Sequence, residues 1–167
     1  GIWPCPLWLR GDWPGEIDAA EMYGWPFLNP ARTNATENAR MRSNFGATVH
    51  SNTAGGTANK KQGRQPANPT DGMLKPDKFY EWGIAIDDAA GITLLFEGKP
   101  LVDAWARPNP MSWDYLAGVG IPKSAFTGTG HARIQTQVGD TYWGPSSPGT
   151  RSPFHMDIAY FYIAKKV

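Results

Sequence analysis

The sequence predicts an all-β fold, an antiparallel β-sandwich, and three observations carry that reading. Glycine and proline number 19 and 15 in 167 residues, which punctuates the chain too often for long helices. Short runs rich in β-branched and aromatic residues recur between these breaks, as a pleated, half-buried surface requires. The clearest pair, Phe79–Asp87 and Ile92–Glu97, is joined by Asp88-Ala89-Ala90-Gly91, the composition of a tight turn.

Taken in order, residues 1–26 read as two extended segments separated by Arg10-Gly11-Asp12. From Phe27 to Met41, broken at Pro30, comes a polar connection with one short helical turn near Asn38–Arg42. Phe45–Ser51 is a strand. Asn52 to about Pro76 is a long polar loop, marked by Gly55-Gly56, Pro66, Pro69 and Gly72, that holds the basic cluster Lys60, Lys61 and Arg64. Loops of that length in a compact domain carry function or stay disordered. Glu97-Gly98-Lys99 turns the chain into a third meander strand running to about Trp105. Pro108–Gly130 is an irregular excursion, and His131–Val138 and Phe154–Ala164 are the last strands. No internal repeat is present, so residues 1–167 read as a single domain large enough to bury a core.

Composition narrows the function. A net charge of +1 does not suggest nucleic acid as a partner. The lone Cys5 excludes an internal disulfide framework and a cysteine-based zinc site. No apolar run approaches the ~18 residues of a membrane span, and the amino terminus lacks a signal-peptide pattern. Eight tryptophans exceed what such a core needs and suit a sugar-binding surface, because a flat ring packs on the apolar face of a pyranose.

The most informative segment is Gly15-Glu16-Ile17-Asp18-Ala19-Ala20-Glu21, preceded by Trp3-Pro4, Trp8 and Trp13-Pro14. Propensity alone makes Glu16–Met22 a helical turn. On a helix, however, Glu16 and Glu21 would sit roughly 140° apart and the carboxylates would diverge. On a strand, Glu16 and Asp18 share a face and Glu21 falls on the other. One extra residue at Ala19 or Ala20, taken up as a β-bulge, returns Glu21 to that face. Four strand steps then part the glutamate Cα atoms by about 13 Å. Side chains leaning together close this to roughly 5 Å between carboxyl groups, the spacing of a retaining glycosidase. A solvated acidic turn explains the same three acids.

Trp3-Pro4-x-x-Leu7-Trp8 followed by Trp13-Pro14-Gly15-Glu16-Ile17-Asp18-x-x-Glu21-x-x-Gly24 resembles the active-site strand of glycoside hydrolase family 16, in its bulged, laminarinase-like form. Weaker likenesses follow in order. These are Ala47-Thr48-Val49-His50, Tyr80-Glu81-Trp82, Ile92-Thr93, Phe96-Glu97-Gly98-Lys99, Ile134 to Gly139, and His155 to Tyr162. The resemblance implies a concanavalin A-like jelly roll and an endo-acting retaining hydrolase of an extracellular β-linked polysaccharide. The substrate it suggests first is a β-1,3-glucan, with galactans among the bulged relatives. By the family's pattern Glu16 is the nucleophile, Glu21 the general acid/base, and Asp18 the residue between them that adjusts protonation. Three carboxylates on one face do not all ionise comfortably, so one group keeps its proton for donation. The chemistry needs neither metal nor organic cofactor.

Other candidates carry two readings each. Trp8 and Trp13 would stack sugars beside the scissile bond, or fill a core. His50 matches a cleft histidine of the family and would bond near Glu21, or serve structure alone. Arg133, Gln135 and Gln137 share a strand face that suits a sugar-lined sheet or plain solvent. Trp143, in a loop, would hold glycan or be buried. The Lys60, Lys61 and Arg64 cluster would favour an anionic polysaccharide, or is simply solvated. Asn34-Ala35-Thr36 satisfies a glycosylation sequon of a kind common by chance.

Family members carry considerably more chain ahead of the acidic strand, and Pro108–Gly130 is unlike their short connection. The expectation is therefore a jelly roll lacking its amino-terminal strands, with an upstream segment or another chain completing the sandwich. The rival expectation is a non-catalytic carbohydrate-binding domain of a larger assembly, such as a phage tail.

Overall fold

The computed structural model of the chain describes residues 2–11, 15–22, 45–51, 60–64, 78–101, 109–138 and 156–164. They are mostly β-strand, in two antiparallel sheets, with one short helix. The larger sheet has β1 (Ile2–Gly11), β2 (Gly15–Met22), β3 (Phe45–Ser51), β4 (Lys60–Arg64) and β8 (Gly130–Val138) in the order β4-β3-β2-β1-β8. The smaller is a meander of β5 (Trp82–Asp87), β6 (Gly91–Phe96) and β7 (Lys99–Pro100). The all-β, antiparallel expectation is met.

Alternation divides the faces of the larger sheet. On β3, Phe45, Ala47 and Val49 point into the core, and on β2 Ile17 and Ala20 join them. Ile92 and Leu94 of β6 close the same core from the smaller sheet, with Leu101, Met111, Leu116, Ile121, Ala125 and Phe126. Phe45 lies edge-on to Trp82, with ring centroids 5.8 Å apart, and 4.9 Å from Phe96. Burying such residues is the main source of stability, about 1.5–3 kcal/mol for each large apolar side chain.

Local chemistry shapes the meander. Glu97 and Gly98 take φ of 53° and 71°, the left-handed pair that a two-residue hairpin between right-twisted strands prefers. Gly91 has φ of +126°, and any Cβ there would run into the Met111 carbonyl. That close approach lets Ile92 and Met111 exchange two backbone hydrogen bonds of 3.0 and 2.8 Å, tying the next segment to β6. The Asn109 amide accepts from Leu94 N–H at 3.3 Å and donates to the carbonyls of Leu94 and Leu101 at 3.0 and 2.9 Å.

Three expectations change. The region 108–130 is not merely irregular: it holds helix α1 (Trp113–Gly118) and a 3-10 turn (Lys123–Phe126) that supply core side chains. Ser112 caps α1, its hydroxyl accepting from Tyr115 N–H at 3.1 Å, as a serine at this position can. The expected loop 52–76 contains β4, paired with β3 from Ala47↔Arg64 to Ser51↔Lys60. Conversely, residues 156–164 form no strand, although their pattern resembles one. No ladder joins them to a strand among the described residues, and Ile158, Tyr160, Phe161, Tyr162 and Ile163 are exposed. The third meander strand is Lys99–Pro100, Leu101 follows it outside the ladder, and residues 102–105 of the expected strand and the helical turn near Asn38–Arg42 lie outside the described residues.

Candidate active site

The acidic segment is a strand, and it carries the extra residue that the spacing of its acids demands. Toward β3, Asp18 pairs with Thr48 and Glu21 with Gly46, so three steps on β2 face two on β3. Toward β1, Ala20 pairs with Leu7 and Asp18 with Trp8, so two steps face one. Both ladders therefore place one surplus residue at Ala19-Ala20, a β-bulge. Ile17 and Ala20 enter the core. Glu16, Asp18 and Glu21 lie on the opposite face, the one that β3 lines with Thr48 and His50.

Each acid is held by a neighbouring strand. Arg10 stands directly across from Glu16, with Nη1 3.2 Å from Oε2. His50 Nε2 lies 2.8 Å from Asp18 Oδ2. The Thr48 hydroxyl donates to Glu21 Oε2 at 3.4 Å. Asp18 and Glu21 are 4% and 8% exposed, so their contacts with His50 and Thr48 operate in a low-dielectric setting where they are worth more than in water. The sequence places His50 near Glu21; its contact is with Asp18, two residues along β2 from the Glu16 that it faces.

The same face continues across β1. A second surplus residue, between Cys5 and Trp8, keeps both of these opposite Gln135 and Arg133 of β8. Guanidinium carbons of Arg10 and Arg133 lie over the Trp8 ring, 5.7 and 5.3 Å from its centroid. The half-buried Trp8 is thus a platform for two arginines. Its indole N–H is buried and has no hydrogen-bond partner among the described residues, where packing and stacking hold the ring. Burial pushes the Cys5 thiol well above its ordinary value, and the Asp18, Glu21 and Glu16 carboxylates add to the rise. A thiol so placed is an inert neutral group beside the acids.

Among the remaining candidates, Arg133 is exposed and Gln135 half-buried on β8. The backbone of Gln137 pairs with Trp3. Trp13, Trp143 and the Asn34 sequon lie outside the described residues, and Lys60, Lys61 and Arg64 fall on β4. Sequence reasoning missed Arg10 and Thr48 as partners of the acids. For Arg10 the signal was present: it lies as far before position 13 as Glu16 lies after it, the spacing of two residues that face each other when consecutive strands pair antiparallel.

Glu16, Asp18 and His50 each bring one donor atom within 4.8 Å of the others. This face combines carboxylates able to attack, donate or bind with a guanidinium on one flanking strand and an imidazole on the other. Comparison with known proteins adds no relative: no family model, no curated protein and no solved structure matches this chain.

Proposed function

We propose that the chain is a retaining endo-glycosidase, cleaving a β-linked polysaccharide by double displacement at Glu16 and Glu21. The reading rests on the bulge that puts three carboxylates on the non-core face of a central strand. Glu16, fixed by Arg10, attacks the anomeric carbon. Glu21 donates a proton to the departing oxygen and later takes one from the water that releases the glycosyl enzyme. Asp18, bonded to His50, lies between the two and biases which of them holds the proton. A β-1,3-glucan is the proposed substrate, on the strength of the bulged family 16-like motif. With that motif go a jelly-roll arrangement of the two sheets and action on an extracellular glycan.

The near-complete burial of Glu21 favours a second reading, in which the face binds glycan without cutting it, as an adhesion domain of a larger assembly would. Incubation with laminarin separates the two. Release of reducing ends, abolished in Glu16→Gln, supports hydrolysis, and early product must retain its anomeric configuration by NMR. Saturable binding without release supports the second reading, and inverted product removes Glu16 as nucleophile.

A further inference from the structure

We propose that Glu16, Asp18 and His50 form a binding site for one divalent transition-metal ion, zinc first, and that the ion and the glycan compete for this face. Zinc holds oxygen and nitrogen ligands at about 2.0–2.2 Å, so donors in one tetrahedral shell lie roughly 3.4 Å apart. The three donor atoms already stand within 4.8 Å of one another, so side-chain adjustments of about 1 Å bring them to that spacing. The backbone supports this. Glu16 is paired directly with His50, and Asp18 is two residues along the same face, so two ladder-bonded strands fix all three Cα positions.

The donor set selects the metal. One imidazole nitrogen and two carboxylates suit zinc and its neighbours, whereas calcium and magnesium prefer oxygen alone. Two carboxylates balance the charge of a divalent ion. His50 Nε2 now faces Asp18 Oδ2 at 2.8 Å, and in the proposed site the ion stands between these two atoms. Glu16 has two oxygens, so it keeps Arg10 on Oε2 and offers Oε1. Three protein ligands leave the remaining position of the ion to water.

Metal binding stands on these donors alone; only the competition with glycan rests on the glycosidase reading above. The test is calorimetric titration of zinc chloride into the full, EDTA-treated chain at neutral pH, with the visible spectrum of added cobalt as a second measure. The native chain should bind one ion. His50→Ala and Asp18→Asn should each weaken binding at least tenfold, and His131→Ala should leave it unchanged. No saturable binding by the native chain overturns the proposal. So does an equal loss in His131→Ala and His50→Ala. The native chain's cobalt spectrum decides the matter even where a variant does not fold. Laminarin hydrolysis measured in parallel keeps the two ideas apart. Zinc bound by a chain that never cuts laminarin supports the metal site and counts against the glycosidase. Hydrolysis by a chain that binds no zinc does the reverse.

Discussion

His50 reaches past Glu16, the residue directly opposite it, and bonds Asp18 on the diagonal at 2.8 Å. Glu16 is left to Arg10 on the other neighbouring strand, 3.2 Å away. Glu21 is left to Thr48. Each carboxylate thus has its own partner, and the division depends on the bulge that brings Glu21 back to their face.

Deleting Ala19 should undo that division. The acid after the deletion point then turns toward the core, where an unpaired carboxylate costs several kcal/mol. Thermal unfolding should show a loss of about 3 kcal/mol or more, or no folded protein. Laminarin cleavage should vanish. A stable, active deletion would remove the bulge from the mechanism.

Arg10→Met should slow cleavage without unfolding the chain. The Arg10 side chain is 42% exposed, so its pair with Glu16 contributes under about 1 kcal/mol of stability. Misplacing Glu16, the proposed nucleophile, should nevertheless lower kcat roughly tenfold to hundredfold with a smaller change in KM. Arg10→Lys should recover part of it. An unchanged kcat would mean that Glu16 needs no such support.

Stability should fall as pH rises above the ordinary thiol value of 9.0. There the unfolded chain gives up the Cys5 proton and the folded chain keeps it, so unfolding releases a proton and is favoured by alkali. The slope attributable to this thiol is at most about 1.4 kcal/mol per pH unit, and below pH 9.0 its contribution is constant. Cys5→Ala should remove that part of the slope, as the difference between two denaturation series against pH. Parallel curves would mean that burial and the neighbouring acids do not hold the Cys5 proton in the folded chain.

Asn109→Ala should destabilise the meander. Three hydrogen bonds to the backbone of Leu94 and Leu101 are lost together. At about 1 kcal/mol each, denaturant unfolding should register roughly 2–4 kcal/mol. Asn109→Asp keeps the acceptor for Leu94 N–H but turns a carboxylate oxygen toward the Leu94 and Leu101 carbonyls, and should cost at least as much.

The acidic strand was legible because spacing, not propensity, decides it. Glu16, Asp18 and Glu21 make sense on one face only with a surplus residue, and two ladders locate it at Ala19-Ala20. The β5–β6 hairpin was legible for the same reason, alternation ended by a glycine that needs a positive φ. β4 was not. Lys60-Lys61-Gln62-Gly63-Arg64 has no apolar period and is a strand only because β3 offers it unpaired backbone groups at the sheet's edge. Residues 156–164 erred the other way, since an aromatic pattern creates no partner to pair with. Helix α1 had its signal in Ser112 and Asp114, but six residues between Pro110 and Gly120 give too short a period to read.

β2 is the middle strand of five, flanked by a ladder on each side and lined on one face by the core. Fraying at either margin of the sheet therefore leaves the acids undisturbed, and their amides should exchange with deuterium only when the whole domain opens. Any chemistry this strand performs therefore starts from a backbone held in register on both edges and backed by the core, so its acids keep their spacing without help from a bound ligand.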